Sequence, residues 1–158
     1  MSKSQKISLF ILRIVLGWMY FYAGITKLAN PNWSAAFYLK DAQIFAGFYQ
    51  WLMTPGILPI VNFLNEWGLT LLGVALIFGV FVRLGSILGI ALMILYYLPI
   101  LKFPYPNAHA FIVDEHIIYS ATLAVLAVFK AGRAYGLEKW CTKLPLCSKF
   151  PKFRNWLG

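Results

Sequence analysis

Charge is scarce in this chain: of 158 residues only 12% are Asp, Glu, Lys or Arg, and the acidic ones number five. Soluble domains carry about 25% charged and about 45–50% apolar residues. A chain this short cannot hide a 61% apolar share in one aqueous core. A soluble fold is thereby excluded, and lipid is the expected solvent. Cysteine is limited to Cys141 and Cys147. Without a closer pair or a second pair they do not form a zinc site, and a cytoplasmic location argues against a disulfide, so free thiols are expected. Histidine is limited to His109 and His116. His109 lies in or beside the Pro104–Pro106 loop, so the two do not offer opposed haem ligands from different helices. Internal repeats and low-complexity tracts are missing, which counts against a transporter built from inverted repeats. No flavin or metal motif is evident, so electrons would need a second subunit or a bound quinone.

What is present is apolar length, with a mean hydropathy of +0.71. Four runs, at about 7–28, 60–82, 84–101 and 111–129, are predicted to cross a hydrocarbon core of about 30 Å at about 1.5 Å per residue. The first follows Lys3 and Lys6 as a signal peptide would. It continues too far, and no small-residue cleavage pair follows, so it reads as a retained span. A short turn containing Gly79, Arg83 and Gly85 joins the second and third runs, and Pro104 and Pro106 separate the third from the fourth.

Basic residues sort by side. Lys3, Lys6, Arg83, Lys130, Arg133, Lys139, Lys143, Lys149, Lys152 and Arg154 fall on one side, and Lys27, Lys40 and Lys102 on the other. This places both termini in the cytoplasm. The net charge of +9 is concentrated after Phe129, where it suits orientation and anionic headgroups better than nucleic acid. The first outer loop carries Trp33, Phe37, Tyr38, Phe45, Phe48, Tyr49 and Trp51 among Lys40, Asp41 and Gln43. A helix lying in the membrane interface over about 32–53 accounts for that mixture. A soluble loop would expose too many aromatics. The expected fold is therefore all-α: an antiparallel four-transmembrane-helix bundle in one membrane domain, 1–140, followed by a basic cytoplasmic tail, 141–158.

Ionisable groups within spans are costly and mark candidate sites. Arg13, Gly17, Tyr20, Gly24 and Lys27 recur at helical spacing and form one stripe. Its glycines admit a neighbouring helix, and its charged members are expected to point inward or to snorkel. Arg13 lies in the inner half, where a C-terminal carbonyl or a tail residue could serve as its partner. Asn62, Asn65 and Glu66 open the second run, with Glu66, Thr70 and Gly73 on one face. Asp114, Glu115 and His116 open the fourth, with Glu115, Tyr119 and Thr122 on one face. Glu66, Asp114, Glu115, His116 and Lys27 all fall in the outer half. Three readings fit this cluster: an ion-pair network in which Lys27 neutralises a carboxylate, a quinone or proton-transfer site using Glu66, Glu115, His116 and Tyr119, or a metal held by Glu66, Asp114, Glu115 and His116, for which one imidazole is thin support. Gly85 and Gly89 read as helix packing, and Tyr96, Tyr97 and Pro99 as an aromatic belt.

Arg13-x-x-x-Gly17 through Ala23-Gly24-x-x-Lys27-Leu28, then Glu66-Trp67-Gly68 through Gly79 and Arg83, then Asp114-Glu115-His116 and Gly132-Arg133 follow one another in an order that resembles the DoxX/DoxD family over about 7–140. The resemblance implies a prokaryotic plasma-membrane protein, nearest the DoxD-type small subunit of thiosulfate:quinone oxidoreductase, with redox subunits as partners. Fold carries over more safely than activity. A carboxylate-rich outer cluster would repel thiosulfate unless Lys27 or protonation offset it. The expected function is a membrane subunit of a quinone-linked oxidoreductase, with Glu66, Glu115, His116 and Tyr119 in contact with quinone or its protons and Arg13, Lys27 and Asp114 acting electrostatically. The rival is a non-catalytic scaffold subunit of a respiratory complex.

Overall fold

The structure is a computed structural model that describes residues 1–138. The tail 141–158, with Cys141 and Cys147, lies outside the described residues. Helices run over Lys3–Leu28 (α1), Ala36–Leu39 (α2), Ala46–Leu52 (α3), Leu58–Phe78 (α4), Val82–Ile100 (α5) and Glu115–Val128 (α6), and one turn of 3-10 helix follows at Ala131–Arg133. The described residues contain no strand, only two isolated bridges in the loop between α5 and α6.

Local chemistry sets the helix ends. Ser2 caps α1 reciprocally with Gln5: the Ser2 Oγ accepts from the Gln5 N–H at 3.2 Å, and the Gln5 Oε1 accepts from the Ser2 N–H at 2.7 Å. Pro59 sits in the first turn of α4, where its missing N–H costs nothing. Gly79 ends α4 at φ 67°, in the left-handed region glycine tolerates best. Asp114 starts α6 by accepting from the N–H groups of His116 and Ile117.

The α1, α4 and α5 helices are each long and apolar enough to cross a membrane. At 14 residues, α6 rises about 21 Å and falls short of about 30 Å of hydrocarbon by itself. The fourth expected run begins at 111, but the helix begins only at Glu115 because Asp114 is spent as its cap. The segment expected to form one helix over 32–53 forms α2 and α3 instead, with Phe45 left-handed at φ 54° between them.

Packing divides the helices into two pairs: α1 lies along α4, and α5 along α6, while α4 and α5 meet less closely. The first pair is antiparallel and nearly backbone to backbone. Gly17 faces Leu76 and Ile77, Gly24 faces Thr70, and Gly73 faces Phe21. A Cβ at Gly24 would lie 2.3 Å from the Thr70 Oγ1, and one at Gly73 would lie 2.3 Å from the Phe21 backbone nitrogen. In lipid such closeness supplies the dispersion contact that holds helices together. The buried stripe of Arg13, Gly17, Tyr20 and Gly24 faces this seam, as its spacing predicts. In the second pair Gly89 meets Leu123 and the Tyr96 ring stands edge-on to His116.

Pro99 lies within α5 and cannot donate to the carbonyl four residues back. That carbonyl, of Leu95, instead accepts from the hydroxyl of the buried Tyr49 at 3.1 Å, which pins α3 to α5.

Gly73→Ala is expected to lower the unfolding free energy in detergent by about 1–3 kcal/mol, because backbone rather than a flexible side chain must move. Gly68→Ala, whose Cβ meets nothing within 4 Å, is the control and should leave it unchanged or raise it. Equal melting of the two variants would contradict the close seam.

Candidate functional site

Polar side chains gather at both ends of the bundle. At one end Arg13 is fully buried. Its Nη1 donates to the Ala131 carbonyl at 2.7 Å and its Nη2 to the Tyr135 carbonyl at 3.4 Å. Backbone of the segment after α6 is thus its partner. Space for the guanidinium comes from missing side chains: a Cβ at Gly79 would lie 2.4 Å from the Arg13 Nη1, and one at Gly136 2.6 Å. Residues 131–138 then cross the end of α4, where the N–H groups of Leu137 and Glu138 satisfy the Phe78 and Gly79 carbonyls at 3.0 and 3.1 Å. Glu138 is buried and accepts from the Arg133 Nε at 3.0 Å. Among the described residues its Oε2 and the Arg13 Nε make no hydrogen bond. This end is a clasp.

The other end holds a cavity of about 410 Å³. Lys27 enters from α1, Trp33 and Tyr38 from the segment after it, Asn65 from α4, Tyr96 and Pro99 from α5, and Glu115 and His116 from α6. The Lys27 ammonium donates to the Ala23 carbonyl at 3.0 Å and lies 5.5 Å from the centre of the Trp33 ring. No carboxylate of the described residues is within ion-pair distance of it. Of the three readings of the outer cluster, the ion pair between Lys27 and a carboxylate is not formed among the described residues, because the side chain turns to its own helix and to Trp33. Two of its three N–H groups remain for a ligand.

His116 is oriented from behind: its Nδ1 and the Asp114 Oδ2 are 2.7 Å apart. With Nδ1 bonded to a carboxylate, Nε2 is the nitrogen left to act. It accepts when the ring is neutral and donates when the ring is protonated. The Tyr96 hydroxyl donates to the Asn65 Oδ1, which fixes both side chains in the cavity wall.

Of the seven residues singled out from sequence, Lys27, Glu115 and His116 line the cavity and Asp114 stands behind His116. The other three lie elsewhere. Glu66 is half-buried on α4, and its carbonyl accepts from the Thr70 hydroxyl. Tyr119 sets its ring edge against Tyr20 at 6.2 Å. Arg13 is half the bundle away, about 21 Å along α1 from Lys27. Among the wall residues that sequence patterning named without assigning to the site are Asn65 and Tyr96. The signal for Asn65 was a polar side chain inside an apolar run; Tyr96 was hidden within an aromatic belt.

Asp114, Glu115 and His116 place one ligand atom each within 4.8 Å of one another. Both Asp114 oxygens are already engaged, by the helix cap and by the imidazole. That leaves a poor donor set for a cation.

The model of the DoxX family matches residues 8–100, more than half of the chain, from within α1 to the end of α5. No match is found among curated proteins or among solved structures. The family match stops before Asp114, so two of the wall residues, Glu115 and His116, fall outside it.

Arg13→Met is expected to cost about 2–4 kcal/mol, since it removes charged hydrogen bonds and orphans the Ala131 carbonyl. Limited proteolysis should then cut 131–138 faster. Lys27→Met should change stability by less than about 0.5 kcal/mol, whereas a buried ion pair would make the loss about 3–5 kcal/mol. Thermal melting of each variant separates these outcomes.

Proposed function

The chain belongs to the DoxX family, and on that premise we propose that it is the membrane subunit of a quinone-linked oxidoreductase whose cavity at the Lys27 end receives the quinone head. The observation that carries the reading is the convergence of Lys27 and the Asp114-oriented His116, with Asn65 and Glu115, on a space whose remaining wall is apolar and aromatic. At about 410 Å³ it falls within the range of about 300–1,000 Å³ typical of small-molecule sites. Its few polar groups suit a planar ring with two carbonyls.

A bound quinone would supply the two-electron chemistry, and a partner subunit the electrons, since this chain carries no redox-cofactor motif of its own. The residues here would do the rest. The Lys27 ammonium would hold one carbonyl oxygen. His116, protonated at Nε2, would donate to the other, and Asp114 would stabilise the imidazolium and fix its orientation. Glu115, exposed at the start of α6, would return the proton from solvent. Trp33 and Tyr38 would cover the ring and limit water. On this reading the membrane is a prokaryotic plasma membrane, as the resemblance implies, and the cavity faces outward with both termini cytoplasmic, an orientation that the positive-residue asymmetry supports.

The second reading, a non-catalytic scaffold subunit, draws on the exposed aromatics Phe37, Phe48 and Trp51 of α2 and α3, which would dock a partner.

His116→Ala is expected to lower quinone-dependent turnover of the assembled complex by about 100-fold or more, with thermal stability and assembly preserved. Glu115→Gln should lower it less. Loss of assembly with unchanged turnover per assembled complex would favour the scaffold.

A further inference from the structure

A second apolar space, of about 740 Å³, opens between α4 and α5, which pack less closely than the helices within either pair. Its wall contains Leu, Val, Ala, Phe and Gly and no polar side chain. On α5 the lining positions Gly85, Leu88 and Leu92 step on at helical spacing to Tyr96 and Pro99, which line the polar cavity. On α4, Leu64 and Gly68 of the groove flank Asn65 of the cavity. Groove and cavity therefore share one face of α5 and adjoin on α4. From Leu64 to Phe78 the groove follows α4 for about 21 Å. At Gly68 a Cβ would meet nothing within 4 Å, so the space reaches the helix backbone.

We propose that this groove holds the polyprenyl tail of the quinone whose head enters the polar cavity, an inference that rests on the reading above. In a bilayer an unfilled groove forfeits dispersion contacts along its whole length, and a long, flexible apolar chain restores them. The arrangement suits one amphipathic ligand: a compact chamber with polar groups in its wall and, on the neighbouring turns of α4 and α5, a wholly apolar groove. Charge bears on the choice between lipids. Lys27 and Glu115 line the head chamber with opposite charges, so a phosphate drawn to one is repelled by the other, whereas a neutral head can accept from the Lys27 ammonium without that penalty. The groove also supplies the route of access, since a ligand dissolved in the membrane reaches the cavity sideways between α4 and α5.

Gly68→Leu fills the groove without touching the cavity. Binding of a tailless dimethoxy-methyl benzoquinone and of its decyl-tailed analogue is measured to the purified full chain in detergent, wild type and variant. Wild type should bind the tailed compound roughly tenfold more tightly, and Gly68→Leu should remove that advantage while leaving tailless binding unchanged. A tailed probe with a diazirine midway along its chain should label α4 and α5 peptides and be displaced by excess unlabelled quinone. Tailless binding with the tail advantage intact in Gly68→Leu would overturn the groove assignment alone. Absence of tailless binding to wild type would overturn the head site and the groove with it. Equal labelling of α1 and α6, a phospholipid that quinone does not displace, or dimer cross-links through Leu88 would each overturn the groove assignment.

Discussion

A permanently charged guanidinium with no exposed surface organises one end of this molecule. Arg13 cannot shed its proton to ease burial, so the fold must bring acceptors to it, and those acceptors are carbonyls more than a hundred residues away in sequence, at Ala131 and Tyr135. That demand explains several features together. Residues 131–138 fold back under the helices rather than leaving the bundle. The left-handed Gly79 does two tasks, turning the chain after α4 and leaving room for the guanidinium. Gly132 and Gly136 stand where a side chain would strike Glu138 or Arg13. Because Leu137 and Glu138 in turn cap the end of α4, the first helix, the fourth and the chain after the sixth close as one unit.

The seam between α1 and α4 follows from the same geometry. Once Arg13 fixes the end of α1 against the end of α4, glycines at 17, 24 and 73 let the two backbones approach along the rest of their length. The α5–α6 pair has Gly89 against Leu123 and no comparable seam with α4. Closeness in one pair leaves space beside it. The cavity at the Lys27 end and the groove between α4 and α5 both occur where the pairs diverge.

Helix existence was legible in the sequence because lipid demands long apolar runs, and the three long helices fall within a few residues of the expected spans. The inward stripe of α1 was legible for a related reason: Arg13, Gly17, Tyr20 and Gly24 recur at the period of a helix. The break in the aromatic segment was not, since Phe45 is a residue whose left-handed conformation no propensity announces. Nor was the division of the polar cluster. Glu66 and Tyr119 share helix faces with site residues, yet small rotations of each helix send one toward the surface and the other to Tyr20. Spacing gives the face of a helix; only packing gives what the face meets.

The two ends also differ in how their polar groups are satisfied, and that difference bears on what each end does. At the Arg13 end, the guanidinium and the last carbonyls of α4 find partners in a single strap of backbone, which leaves little for a ligand to offer. At the Lys27 end the partners are incomplete: an ammonium spends one donor on Ala23, and an imidazole is held at one nitrogen with the other uncommitted. The two ends are told apart most by access. The Arg13 Nε and the Glu138 Oε2, which make no hydrogen bond among the described residues, are sealed in. Lys27 and His116 are only half-buried and open on a cavity, so burial alone, greatest at Arg13, does not mark where a ligand can reach.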